Sequence, residues 1–271
     1  MKRITPSKAI INVFLIILSL IWLCPLFFSL TYSFKSRVEA NRSDVFSWPQ
    51  GNAIVENFNY IQNAVGFMKS MGASFIYALV GASVAVTFAT LAAYAIAHLP
   101  IKGKMFWFLW IYSGTIFPFQ MYLIPIFRMY SVAGLYNTRL GMMLFYMSIC
   151  IPFAMFVIRN FFTGISKEVL ESAKIDGASN FVVLRKILVP MSVAPIAVVF
   201  FTQFTWCWGD LLFGMTFTKS IGIRPIMPTV SVITNNRPAL ALAGLIVSVP
   251  TLILFTLLQR NMETGLVYQS K

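Results

Sequence analysis

Residues 70–101 read SMGASFIYALVGASVAVTFATLAAYAIAHLPI, 32 residues without one Asp, Glu, Lys or Arg. An α-helix rises about 1.5 Å per residue and needs about 20 apolar residues to cross roughly 30 Å of hydrocarbon. This stretch exceeds one span. Ser70-Met71-Gly72-Ala73 is read as interfacial and Pro100 as the closing residue, because a proline disfavours helix in the residue before it. Outward from it lie five more uncharged runs, 9–34, 105–127, 140–158, 187–209 and 238–259, of 26, 23, 19, 23 and 22 residues. Core helices of soluble proteins rarely exceed about 12–15 such residues.

The expected fold is therefore an all-α polytopic membrane protein, one transmembrane domain over 1–271 with six helices. The expected spans are 9–34, 72–99, 105–127, 139–160, 188–210 and 238–260, with a cytoplasmic loop over 164–187. Composition agrees: 58% of the 271 residues are hydrophobic and 11% are charged, against roughly 25% charged in soluble domains. The first run is too long for the ~7–15-residue core of a signal peptide, and Lys35-Ser36-Arg37 reads as the boundary of an uncleaved span. Cys24, Cys150 and Cys207 all fall inside apolar runs and read as small buried hydrophobes, not as a disulfide or metal set.

The net charge of +13 is no nucleic-acid footprint. With the N-terminus in the cytoplasm, 12 basic residues fall on cytoplasmic segments and 9 on external ones. The cytoplasmic ones crowd short loops at span ends, where the positive-inside bias is counted. Six spans then put the C-terminus in the cytoplasm as well. The first external segment, about 35–70, has turn and interfacial chemistry. The external loop 211–237 carries Gly222, Pro225 and Pro228 and is expected to turn back towards the membrane. Pro118, Pro125, Pro152, Pro190 and Pro195 cluster around the third to fifth spans. Each free carbonyl they leave wants protein or a wet cavity beside it, although prolines are also simply commoner in membrane helices.

The loop 164–187 has a clear grammar. Ser166 can cap a helix with Glu168 in its first turn, and Val169, Leu170 and Ala173 form an apolar stripe. Gly177 permits a sharp break. Ser179 can cap a second helix with Phe181, Leu184, Ile187 and Leu188 on one face, and Pro190 marks entry to the fifth span.

Glu171-Ser172-Ala173, three residues, Gly177, nine residues, then Ile187 and Val189-Pro190 resembles the cytoplasmic motif of ABC import permeases, Glu-Ala-Ala with Gly and Ile-x-Leu-Pro at the same spacing. Ser172 and Val189 depart from it. Ser33-Phe34-Lys35, Asn57-Phe58-Asn59-Tyr60, Ala92-Ala93-Tyr94-Ala95-Ile96-Ala97, Ile124-Pro125, Gly134-Leu135-Tyr136-Asn137-Thr138 and Gln259-Arg260 with Gly265 are similar to the carbohydrate-uptake, maltose-type branch. These are the binding-protein-dependent inner-membrane components, and the resemblance covers nearly the whole chain. His98 stands where an arginine is usual, Trp208-Gly209-Asp210 replaces Trp-Asn-Asp, and the tail after Gly265 lacks the family's second glycine.

The resemblance implies a bacterial or archaeal cytoplasmic-membrane permease, not an enzyme. It would work with a second homologous permease, an extracytoplasmic solute-binding protein and two cytoplasmic ATPases that hold ATP and Mg. It places ATPase docking on Leu170, Glu171, Ser172, Ala173, Ile175, Asp176 and Gly177, with Leu170, Ala173 and Ile175 packing in the ATPase cleft. No Gly-x-x-x-x-Gly-Lys-Ser/Thr sequence is present to cradle a phosphate here. Tyr112, Gln120, Gln203 and Trp206 are the candidate substrate contacts, since rings suit sugars and amides suit hydroxyls. Trp208 is read as an interfacial anchor, and His98 as an anchor at the cytoplasmic interface. The expected cargo is a sugar or oligosaccharide. The alternatives are another organic solute such as glycerol phosphate, or ion-coupled secondary transport, for which Asp210 is the candidate acid.

Overall fold

The computed structural model describes residues 6–268, the side chains of Pro6, Ser7, Ala9 and 263–268 excepted. The end of the tail, Gln269-Ser270-Lys271, and the N-terminal Lys2 and Arg3 lie outside the described residues. Helices run in the order α1 (Pro6–Ser33), α2 (Arg37–Arg42), α3 (Ile54–Val65), α4 (Phe67–His98), α5 (Lys104–Ile116), α6 (Gln120–Val132) and α7 (Arg139–Thr163). There follow α8 (Lys167–Ile175), α9 (Asn180–Met191), α10 (Val193–Gly209), α11 (Leu212–Phe217), α12 (Ile226–Ser231) and α13 (Arg237–Tyr268). Among the described residues there is no strand. The all-α reading holds.

Four helices, α1, α4, α7 and α13, are each long and apolar enough to cross a membrane, and the bent pair α9–α10 makes up to five. The expected third span, 105–127, is divided. Phe117 is extended ahead of Pro118, and the helix stops at Ile116 and resumes at Gln120. Each half has 13 residues, or about 20 Å of rise. The fifth expected span also differs, because α9 and α10 meet at 79° at Ser192, two residues beyond Pro190. Conversely, α4 begins at Phe67, so Ser70–Ala73 are helical and Ser70, Ala73 and Ser74 are buried.

The chain divides into two compact units. One holds the residues up to Phe67 with Thr229–Val249; the other holds Met68–Pro228 with the residues from Pro250 on. In the first unit, Lys35 is fully buried without a carboxylate. Its ammonium donates to the Asp44 carbonyl and Ser47 Oγ at 2.8 Å, and the Tyr32 ring lies 5.4 Å away. A buried charge is tolerable only with such partners. The Asn57 amide donates to the carbonyls of Ser33 and Lys35 at 3.0 and 2.9 Å. Two short motifs distant in sequence therefore interlock.

In the second unit, Ala78, Ala82, Ala85, Ala89 and Ala93 form a fully buried stripe on α4. Their spacing of three and four residues puts them on one helix face, and small residues let helix backbones approach closely where lipid supplies no hydrophobic drive. Helix α7 packs against both α5 and α10. At its centre Tyr146 is fully buried and donates its hydroxyl to Asp210 Oδ2 at 2.8 Å. The same carboxylate accepts the N–H groups of Phe213 and Gly214 at 3.2 and 2.9 Å, capping α11. Trp208 is buried and stacks on Phe204 at 6.0 Å, which corrects its reading as an interfacial anchor: its ring completes the core instead.

The turn between α6 and α7 is also pinned. Asn137, at φ 55°, accepts the N–H groups of Lys219 and Ser220 at 2.8 and 2.9 Å and donates to Ser220 Oγ at 2.8 Å. Arg139 donates to the Gly222 carbonyl at 3.2 Å. The loop after Asp210 does fold back on its own unit, with Phe213 and Phe217 buried against Phe145.

Two outcomes follow from this packing. Asp210→Ala strands the Tyr146 hydroxyl and two amides, and is expected to cost about 3 kcal/mol of stability, read as a lower midpoint of thermal unfolding in detergent. A Cβ on Gly214 would lie 2.7 Å from Pro228 Cγ and 3.0 Å from Pro225 Cγ. Rigid rings yield little, so Gly214→Ala is expected to cost about 1–3 kcal/mol in the same measurement.

Candidate functional site

Helix α8 is short, amphipathic and closed at both ends by its own residues. Ser166 stands at the N-cap position with extended backbone, but its side chain makes no cap bond. The first turn is held instead by Glu168. Its carboxyl is kept below the usual carboxylate range, first by its own backbone N–H and then by the Ser166 hydroxyl. An acid in the first turn also suits the helix dipole.

The other end is a Schellman motif. Ala178 N–H bonds the Ala173 carbonyl and Gly177 N–H bonds that of Lys174, both at 3.0 Å. The motif needs a left-handed residue at its centre, which Gly177 supplies with φ 78°. No neighbouring atom lies within 4 Å of where a Gly177 Cβ would stand. The need for glycine there is purely one of backbone conformation.

Ser179 Oγ then accepts the Val182 N–H at 3.4 Å and starts α9. The middle of α9, Leu184–Leu188, is a turn of π-helix. Leu184 and Leu188 are buried and Ile187 half-buried, as the apolar pattern predicts, whereas Phe181 faces out. Ser192 Oγ donates to the Leu188 carbonyl at 2.6 Å where α9 turns into α10.

The seven expected docking residues divide by face. Leu170 and Ala173 are buried in one core with Ala93 and Tyr94 of α4, Ile158 and Phe162 of α7, and Val183, Leu184 and Leu188 of α9. They are occupied by their own chain, which corrects the expectation that they fill a partner's cleft. An apolar stripe fits either surface, and here the bundle takes it. Glu171, Ser172, Ile175, Asp176 and Gly177 are exposed, Ile175 to 85%.

Sequence reasoning gave Tyr94 no role of its own and read His98 as an anchor without naming what it packs on. Tyr94 donates its hydroxyl to Asn180 Oδ1 at 3.3 Å, tying α4 to the start of α9. His98 lies between the Tyr94 and Phe162 rings, with centroids 5.9 and 6.2 Å away. Both sit in or beside the quoted Ala-Ala-Tyr-Ala stretch, the one signal available.

Among the described residues, no hydrogen bond or ring contact joins the candidate substrate residues to one another. Tyr112 stacks on Phe156 and Phe108 at 4.6 and 5.7 Å. Trp206 meets Phe119, at the break between α5 and α6, at 5.5 Å. Gln203 is buried and Gln120 exposed. Asp210, the candidate ion-coupling acid, is committed to Tyr146 and to α11.

Over residues 3–268 the chain matches the family described as "Binding-protein-dependent transport system inner membrane component". It is 30% identical over 224 residues to the alpha-glucoside transport system permease protein AglG of Rhizobium meliloti, covering 79% of this chain and 59% of that protein's length. It is 26% identical over 251 residues to the arabinooligosaccharides transport system permease protein AraQ of Halalkalibacterium halodurans, covering 89% and 88% of the two. Among solved structures, a chain of a bacterial ABC transporter involved in the import of the acidic polysaccharide alginate shares the fold. The TM-score is 0.79 at 20% identity, covering 96% of this chain and 99% of that one. With its long apolar helices and these matches, the chain belongs to the family of inner membrane components of binding-protein-dependent transport systems and is the permease component of such an importer.

Proposed function

We propose that this permease passes a sugar or oligosaccharide inwards and is driven through the exposed face of α8. The observation that carries the proposal is the division of that helix. Leu170 and Ala173 are built into the core shared by α4, α7 and α9, while Glu171, Ser172, Ile175, Asp176 and Gly177 face outwards. A push on the outer face has no soft layer to dissipate in, because packed interiors are dense and transmit displacement.

The assembly that fits is the one the family resemblance implies. A second, homologous permease completes the pathway, and an extracytoplasmic binding protein delivers the solute. Two cytoplasmic ATPases hold ATP and Mg and seat α8 and its counterpart. ATP-driven closure of the ATPases draws the two helices together and turns the pathway outwards; hydrolysis resets it. The loop bearing α8 and both chain ends lie in the cytoplasm, consistent with the excess of basic residues on those segments. The sugar assignment is supported by the alpha-glucoside and arabinooligosaccharide relatives and by half-buried Trp206, whose ring suits a sugar face.

Gly177→Val forces a β-branched residue to φ 78°, a strain of about 1–2 kcal/mol, and misdirects α9. Glu171→Lys reverses charge on the exposed face. Both variants are expected to reduce binding-protein-stimulated ATP hydrolysis by the assembled importer to its basal rate. Full stimulation in both would overturn the docking assignment. The solute retained by the companion binding protein identifies the cargo.

A further inference from the structure

Beside α8, towards the turn between α4 and α5, lies a cavity of about 310 Å³ that shares Glu171 with the exposed face of the helix. It is lined by Tyr94, Ala97 and His98 at the end of α4, Lys104 at the start of α5, Lys167, Leu170, Glu171 and Lys174 of α8, and Val183 of α9. Three lysines and one glutamate line it, an excess of positive charge. None of the three lysines has an ion-pair partner among the described residues. Lys104 and Lys167 are the first residues of their helices, where the helix dipole already disfavours a cation. His98 adds a buried Nε2 with no hydrogen-bond partner. A concave site lined by one sign of charge, beside an imidazole nitrogen with no partner, concentrates anions.

The depth of the cavity narrows what that anion is. It lies where α4 ends and α5 begins, at the edge of the apolar tracts. On α5, Met105, Phe106, Trp107 and Trp110 are exposed immediately beyond Lys104, and tryptophans at a span end belong at headgroup level. Basic pockets between membrane helices at this depth suit phosphate headgroups, and lysine binds phosphate as a point charge. We propose that the cavity between α8 and the α4–α5 turn is a binding site for a phosphate-bearing anion. A phospholipid headgroup or a free phosphate supplies the same chemistry. Bound there, the anion bridges Lys104 to Lys167 and Lys174 and fastens α8 to the membrane helices. The site is independent of the docking reading, since its test reads ligand retention rather than coupling.

The test uses the assembled importer in detergent, exposed to equal amounts of phosphatidylglycerol and phosphatidylcholine and examined by native mass spectrometry. A parallel arm titrates inorganic phosphate, without lipid, and follows the thermal midpoint. Selective retention of phosphatidylglycerol that falls about fivefold in Lys104→Gln, but survives in Lys104→Arg, supports a lipid headgroup. A saturable rise in midpoint with inorganic phosphate, absent in Lys104→Gln and kept in Lys104→Arg, supports a soluble phosphate. Absence of both effects in the unaltered importer overturns the proposal, whether or not the variants assemble. So does an effect that Lys104→Gln leaves intact, or that Lys104→Arg removes as fully as Lys104→Gln.

Discussion

Five alanines of α4, from Ala78 to Ala93, run as a fully buried stripe with nothing larger than a methyl group along it, down the face that meets the rest of its unit. In hydrocarbon no water is released when apolar helices touch, so closeness of approach and internal hydrogen bonds must supply the cohesion. The second unit depends on that closeness. Tyr146 reaches the carboxylate of Asp210, which in turn starts α11. At the other end of α4, Ala93 and Tyr94 sit in the same core as Leu170 and Ala173, so the stripe ends directly beneath α8.

Helix α8 differs from an ordinary surface loop in being finished locally. Its first turn is held by Glu168 and its last by the Schellman bonds around Gly177. A segment of nine residues is too short to be stable by propensity alone. Burial of Leu170 and Ala173 therefore decides whether it forms, and the same burial commits it to move with the helices underneath. The outer face is free of structural duty and can be shaped for a partner.

The membrane class was legible because lipid forbids unpaired charge, and that prohibition writes itself as long uncharged runs. Other features depend on packing that no local pattern encodes. Pro118 marks a weak point in the third run, yet a proline inside α7 or α13 leaves those helices continuous. Whether a proline breaks a helix is settled by what surrounds it. Ser192 carries no breaking signal, and the 79° turn falls there rather than at Pro190. The α8 residues were legible as a group through their spacing. Their division into inner and outer faces was not, since Leu170 fits a partner's cleft as well as its own core. Nor does any local pattern set the lysines of α8 round one cavity with Lys104 and His98.

Asn137 holds residues 219 and 220 through three hydrogen bonds, and its neighbour Arg139 reaches Gly222. The turn between α6 and α7 and the strip beyond α11 are therefore not independent flaps. They share their degrees of freedom with the outer end of α7, and any opening on that side has to be a tilt of whole helices. With 25 residues, α7 is about 37 Å long. A rotation of about 10° at the end where α8 is seated displaces the far end by about 6 Å. A small angular input at one end of α7 thus becomes a displacement of several ångströms at the other, by the geometry of a stiff rod.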